Sequence, residues 1–238
     1  MEKSGVSYSS LTLWASTFPG AVKKRIARVF IKAVRRLRKI EIRLLNSIFD
    51  RSGDRMREHL NVVKTLAKII DANDPYTRGH CDKVMKHAVR ICRKMKLPKK
   101  QTDAIKTASQ LHDIGKLGID LNILRKSTPL NEEDWQAIKL HPEIGARIIQ
   151  QTGFFKDIVP MIRHHHARYD GGGYPDASRK NSKIPLGARI IAVADAFDAM
   201  TSNRPYRKAM STEEATAELR KCAGAQFDPQ VVNAFLAL

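Results

Sequence analysis

Residues 111–119 read LHDIGKLGI and place two potential metal ligands at the end of an apolar helix. Apolar residues before this stretch recur at helical spacing, which predicts a helix from about Thr102 to Ile114 with its apolar face toward the core. His112 and Asp113 lie near the end of this helix. Because a buried carboxylate is costly without a cation, we expect Asp113 to face a bound metal ion.

Helical spacing continues to the end of the chain, and no segment shows the alternation of a β-strand. His80 lies on the inward face of a predicted helix that follows a turn at residues 73–75. Further predicted helices are a short one capped by Asn131 and Asp134 and ending near His141, one beginning at Pro142, and two at about Leu186–Thr201 and Thr212–Lys221. The predicted fold class is all-α.

The composition limits the classes of protein to which this chain can belong. Of the 238 residues 42% are hydrophobic, which is enough for a sizeable core. No uncharged apolar run reaches the roughly 18 residues of a membrane span. The three cysteines, Cys81, Cys92 and Cys222, form no CxxC pair, which argues against a disulfide framework and a zinc finger. We therefore expect a cytoplasmic protein.

The first quarter of the chain differs in charge from the rest. The net charge is +19, and residues 1–60 hold fourteen lysines and arginines against five acidic residues. An apolar stripe at three- and four-residue steps runs from Val22 to Ile48 and predicts a basic amphipathic helix. We divide the chain into an N-terminal segment, residues 1–59, and a domain, residues 60–238.

Three roles are open to this basic N-terminal helix. It packs against the domain or pairs with a second copy in a homodimer. Alternatively, it lies on an anionic membrane surface with Trp14 and Phe18 just upstream, which would place the protein at the inner face of the membrane. Nucleic acid is the least favoured partner, because no DNA-reading motif accompanies the charge.

Metal-binding side chains recur over about half of the chain. They are His80, His112, Asp113, His141, His165, His166 and Asp195. Taken singly, most have simpler explanations: a solvated run for the triplet 164–166, a capping or core role for His141. Asp195 lies in an apolar run, and Asp198, one turn on, either supports the ligands or hydrogen-bonds locally. Mixed imidazole and carboxylate ligands in this number suit a dinuclear site.

Six motifs follow one another along the domain. They are DPYTRGH (74–80), LHDIGK (111–116), HPEIG (141–145), HHHARYDGGGYP (164–175), IPLGARIIAVADAFDAMTSNRPYRKA (184–209) and QFDP (226–229). Their order and spacing resemble the HD-GYP domain, a bacterial branch of the HD phosphohydrolases, over about three quarters of the chain. The resemblance implies an HD-type helical bundle that hydrolyses cyclic di-GMP through a metal-bridged hydroxide. The product would be pGpG, and GMP after a second cut.

The resemblance also implies roles for individual residues. His80, His112, Asp113 and Asp195 match the core metal ligands, Asp113 bridges two ions, and His141, His165 and His166 complete the second ion. Lys116 matches the lysine beside the scissile phosphate, which stabilises charge or protonates the leaving oxygen. Tyr174, Arg204 and Arg207 match substrate-binding positions.

The same resemblance bears on the number and identity of the ions. A third ion in some family members needs a glutamate where this chain has Tyr76, so two divalent ions are expected. Imidazole with carboxylate suits iron or manganese, and the ligands alone do not separate these from zinc.

One position departs from the family pattern. Ala167 stands where a glutamate commonly follows the histidine pair. The loss of such a supporting carboxylate weakens metal binding or activity by roughly 10–100-fold. The alternatives to a cyclic di-GMP phosphodiesterase are therefore a catalytically weak module that senses the nucleotide or binds a protein, and an enzyme that acts on cyclic GMP-AMP.

Overall fold

The computed structural model describes residues 58, 60–67, 79–126, 128–153, 155–203 and 208–238. The predicted N-terminal helix lies outside these residues, as do Tyr76, Arg204 and Arg207. Among the described residues no β-strand occurs, apart from an isolated parallel bridge between Ala223 and Phe227. The predicted all-α fold class is confirmed.

Helices follow one another along the described part of the chain. Residues 60–67 are helical, and after them come α1 (His80–Lys94), α2 (Lys99–Leu111), α3 (Leu121–Leu124), α4 (Glu132–Ile138), α5 (His141–Gln151), α6 (Val159–Arg163), α7 (Leu186–Thr201), α8 (Thr212–Lys221) and α9 (Pro229–Leu236). Short 3-10 helices occupy Ile114–Gly118 and Asn181–Lys183. None of these helices is both long enough and apolar enough to cross a membrane.

The centre of the core is α7. Its residues Ile190, Ile191, Val193 and Ala194 are fully buried, and the helix packs against α1, α2, α6, α8 and α9. A helix that is apolar on nearly all sides lies inside a protein rather than on its surface. The buried position of α7 places Asp195 and Asp198 among apolar helices rather than in bulk water.

Most helix ends match the sequence signals that predicted them. Asn131 and Asp134 form a capping box at the start of α4, and Pro142 lies in the first turn of α5. The helix predicted at 102–114 differs, since α2 begins at Lys99 and ends at Leu111. Pro98 caps its start, and the backbone tightens into the 3-10 helix after Asp113. His112 and Asp113 therefore lie in the turn between two helices rather than inside one.

Two backbone segments meet closely beside this turn. A Cβ atom on Gly115 would lie 1.8 Å from the carbonyl oxygen of His141 and 2.5 Å from the backbone nitrogen of Gly145. Real Cβ atoms do not approach backbone atoms at these distances, so only glycine permits the contact. The first turn of α5 is thereby held against the turn that carries Asp113.

We predict that Gly115→Ala lowers the free energy of unfolding by about 1–3 kcal/mol or more, because rigid backbone must move to admit the methyl group. Thermal unfolding and metal content are the measurements. The matched control is Gly118→Ala in the same 3-10 helix, whose new Cβ has side-chain carbons of Ile144 as its nearest neighbours, at 3.0 Å, rather than backbone atoms. Equal losses in the two variants would contradict the argument.

Candidate metal centre

Two groups of metal-binding side chains lie side by side inside the helical domain. His80, His112 and Asp113 form the first group, and His141, His165 and His166 form the second. Within each group the ligand atoms lie within 4.8 Å of one another. Asp195 joins the first group, because its Oδ1 is 3.1 Å from Nε2 of His80. The fold thus brings together all seven residues that the sequence singled out.

Asp113 lies between the two groups. Its Oδ1 is 3.3 Å from Nε2 of His141, and its Oδ2 is 3.6 Å from Nε2 of His112. A carboxylate that offers one oxygen to each group has the position of a bridging ligand.

Backbone carbonyls fix the orientation of three histidine rings. The Nδ1–H groups of His112, His141 and His165 donate to the carbonyl oxygens of Ser109, Ile138 and Ile162, at 2.8, 2.8 and 2.6 Å. Each acceptor lies three residues before its histidine. Since a carbonyl only accepts, Nδ1 carries the proton and Nε2 keeps its lone pair. The backbone therefore selects the tautomer that binds a metal through Nε2.

Two of these lone pairs point at each other. Nε2 of His141 and Nε2 of His165 are 3.2 Å apart, and both residues are buried. With both Nδ1 atoms protonated, neither neutral ring has a proton to donate to the other. A shared cation satisfies both nitrogens at once, and imidazole with carboxylate is a donor set for iron, manganese or zinc. The residues present therefore fit a metal site.

Burial keeps the second group neutral. It lowers the pKa of His141 to about 3, and it also lowers the pKa of His165 and of His166. Neutral imidazole is the form that binds metal.

Opposing effects act on Asp113. Burial by itself raises the pKa of its carboxyl, but the nearby Lys116 ammonium and His112 lower the pKa well below its usual range. Nζ of Lys116 is 2.7 Å from Oδ2 of Asp113. The carboxylate is therefore ionised and available as a ligand at neutral pH.

A second carboxylate on α7 supports His80. Nδ1 of His80 is 2.6 Å from Oδ2 of Asp198, which is 3% exposed, while its Nε2 faces Asp195. Burial lowers the pKa of His80, but the hydrogen bonds to the two carboxylates outweigh it and raise the pKa to about 10. A metal ion bound by His80 and Asp195 would therefore take the place of the proton on Nε2 of His80. Lys83 balances part of this charge, with Nζ 3.6 Å from Asp198 Oδ1. Of the two roles considered for Asp198, the structure favours support of a ligand.

Six of the seven residues, all except His112, line a cavity of about 790 Å³. Lys116 and Tyr174 line the same cavity, and the Tyr174 ring lies 4.8 Å from the His166 ring, between centroids. A Cβ on Gly173 would lie 2.5 Å from the carbonyl oxygen of His166, so glycine is required where this loop packs on the histidine pair.

The position that departs from the family pattern is buried. Ala167 is 6% exposed and packs with Ile184 and Ala188 in a small apolar cluster. A carboxylate in this cluster would have to leave it or find a partner. Alanine therefore fits its surroundings, and its effect on metal affinity stays a prediction.

We predict that Asp198→Asn lowers metal affinity by roughly 10–100-fold, because His80 loses the carboxylate that orients its ring. Elemental analysis and titration with Mn²⁺ measure the change. Asp103→Asn is the control, since Asp103 is an exposed residue of α2 that pairs with Lys99 at the surface. Unchanged metal occupancy in Asp198→Asn would show that His80 is oriented without this partner.

Comparisons with known proteins agree with this arrangement of metal-binding residues. The chain is 36% identical over 169 residues to a 3'3'-cGAMP-specific phosphodiesterase 3 of Vibrio cholerae, covering 71% of this chain and 36% of that protein. It is 37% identical over 199 residues to the cyclic di-GMP phosphodiesterase response regulator RpfG of Xanthomonas campestris, covering 83% and 51%. The chain thus spans about a third to a half of the length of these relatives.

The fold has a solved counterpart. A crystal structure of a cyclic GMP-AMP-specific phosphodiesterase of V. cholerae superposes with a TM-score of 0.58 at 18% identity, covering 75% of this chain and 48% of that one. A family model described as HD domain matches residues 64–231, which is most of the chain. The chain therefore belongs to the HD domain family, as its motifs predicted.

Proposed function

We propose that this chain is a metal-dependent phosphodiesterase that hydrolyses cyclic di-GMP to linear pGpG, and to GMP after a second cut. The observation that carries the proposal is the pair of ligand groups that Asp113 joins beside a cavity. A cavity of this size lies within the range of about 300–1,000 Å³ that small-molecule ligands occupy. The names of the relatives support a cyclic dinucleotide as the substrate class.

We propose two divalent ions, iron or manganese, with zinc as the alternative. His80, His112 and Asp195 would hold one ion, His141, His165 and His166 the other, and Asp113 both. Ions in such a pair supply hydroxide at neutral pH and neutralise charge on the phosphate oxygens.

The side chains around the ligands suit an attack on phosphorus. Lys116, with its side chain 15% exposed, presents a positive charge next to Asp113 at the cavity surface. In this position it stabilises the charge that builds on the phosphate, or protonates the leaving ribose oxygen. Tyr174 borders the same space, and we propose that it contacts the nucleotide. The contacts of Arg204 and Arg207 with substrate phosphates stay predictions.

The N-terminal segment has a separate role in this proposal. The family match begins at residue 64, which supports a division between segment 1–59 and domain 60–238. Dimerisation through the basic helix and contact with an anionic membrane stay predictions, as does a cytoplasmic location at the inner face of the membrane.

We predict that protein loaded with Fe²⁺, Mn²⁺ or Zn²⁺ converts cyclic di-GMP to pGpG with at least one of the three ions, measured by chromatography of the products. Asp113→Ala should reduce the rate by more than about 100-fold. A loss of about 100-fold is the largest expected when only a residue that supports a metal ligand is removed. Asp103→Ala, an exposed change on α2, is the control and should retain the rate. Absence of product with all three ions would refute the proposal and favour a module that binds the nucleotide without hydrolysis.

Cyclic GMP-AMP is the second candidate substrate, because a relative at 36% identity is named as specific for it. The same assay decides between them when both nucleotides are present at equal concentration. The substrate that is consumed faster has the larger kcat/KM.

We predict that Lys116→Ala lowers kcat by roughly 100-fold while the metal content stays near that of the wild type, because Lys116 acts on the reacting phosphate and ligates no ion. Lys116→Arg should restore part of the rate. A parallel fall in metal content and kcat would instead mean that Lys116 chiefly maintains the Asp113 ligand.

A further inference from the structure

Trp135 has a large apolar side chain that the fold leaves partly exposed to solvent. Its exposed fraction is 44%, and it lines the same cavity as the metal-binding residues. Within the described part of the chain no aromatic ring stacks against its indole. Aromatic side chains contribute most when both ring faces are covered. An exposed indole on the wall of a binding cavity is therefore suited to a flat ligand.

Local structure restrains the backbone that carries this indole. Trp135 lies on α4, whose start is closed by the reciprocal hydrogen bonds of Asn131 and Asp134, at 2.8 and 3.1 Å. Asp134, which is largely buried, also forms an ion pair with Lys126 from the preceding loop. Both contacts restrain the turn that carries Trp135.

The same helix also touches the metal centre. The carbonyl oxygen of Ile138, at the end of α4, accepts the Nδ1–H of His141 at 2.8 Å. Trp135 precedes this acceptor by one helical turn, so the indole and the His141 ring are set by one short element. A ligand that reaches both meets a prearranged pair of sites, which reduces the entropy lost on binding.

The cavity is lined by two kinds of residue. Imidazoles, carboxylates and Lys116 supply polar and charged groups. Other lining residues are apolar, among them Ile123, Leu124, Pro129, Leu130, Trp135 and Ile138. A ligand that suits this lining combines a charged phosphate with a flat apolar group. A purine nucleotide has this combination within one molecule.

We propose that Trp135 stacks on a purine base of the cyclic dinucleotide while the phosphodiester lies at the metal ligands. This inference rests on the proposed function and extends it by naming the residue that binds the base. Every base has a π-face, so stacking tolerates a change of base. Trp135 therefore contributes affinity for guanine and adenine alike, and it does not choose between cyclic di-GMP and cyclic GMP-AMP.

Intrinsic fluorescence tests the contact directly. The chain has two tryptophans, so Trp14→Phe leaves Trp135 as the single emitter. We expect the phosphorothioate analogue of cyclic di-GMP, which resists hydrolysis, to quench this emission at saturation. Ribose 5-phosphate, which has no base, should leave the emission unchanged. Calorimetry measures independently whether the analogue binds. If the analogue binds and the emission is not quenched, the inference is wrong.

Steady-state kinetics supply the second arm. Trp135→Ala should raise KM for cyclic di-GMP about tenfold with a much smaller change in kcat, a loss within the range for one stacked base. Trp135→Phe should recover part of the affinity. Leu121→Ala is the matched control, because Leu121 is similarly exposed, at 46%, and does not line the cavity.

The outcomes separate the inference from the proposed function. If the wild type hydrolyses cyclic di-GMP and Trp135→Ala matches it in KM, the stacking inference is wrong and the function stands. If the wild type hydrolyses no cyclic dinucleotide, the proposed function fails, and the fluorescence titration still decides whether Trp135 stacks on a base.

Discussion

The central constraint in this structure is a cluster of buried imidazoles and carboxylates in which the protein leaves imidazole lone pairs facing each other. Backbone carbonyls accept hydrogen bonds from the Nδ1–H groups of three histidines, which leaves the Nε2 lone pairs free to face the cluster. Two such lone pairs face each other at 3.2 Å. Groups arranged in this way repel one another or remain unsatisfied unless a cation lies among them. The folding of the surrounding helices therefore prepares a site for metal ions, and metal binding in turn stabilises the fold.

Close backbone packing keeps this cluster together. Gly115 allows the turn with Asp113 to touch the first turn of α5, and Gly173 allows the loop before Tyr174 to touch the histidine pair. At Gly115 a side chain would separate two segments that carry candidate ligands, and at Gly173 it would separate the Tyr174 loop from the histidine pair. Small residues thus set these distances, although they bind nothing themselves. The buried helix α7 completes the arrangement because it carries Asp195 and Asp198. Both carboxylates form ion pairs with His80.

A cavity with both polar and apolar lining residues adjoins this metal centre. Its lining includes the charged groups of the centre and apolar residues such as Trp135. The helix α4 belongs to both, since it carries Trp135 and its last carbonyl orients His141. The orientation of His141 and the position of Trp135 therefore depend on one short helix with a closed capping box.

The sequence by itself determined the helical class, the starts of α4 and α5 and the set of seven candidate ligand residues, because apolar spacing, caps and motifs are local properties of the chain. It placed the end of α2 three residues late, since the tight turn after Leu111 depends on contact with α5. Only the tertiary structure decided that Asp198 orients His80, that carbonyls fix the histidine tautomers, and that Trp135 shares a cavity with the ligands. These contacts join residues far apart in the chain or depend on ring orientation. Spacing along the sequence records neither.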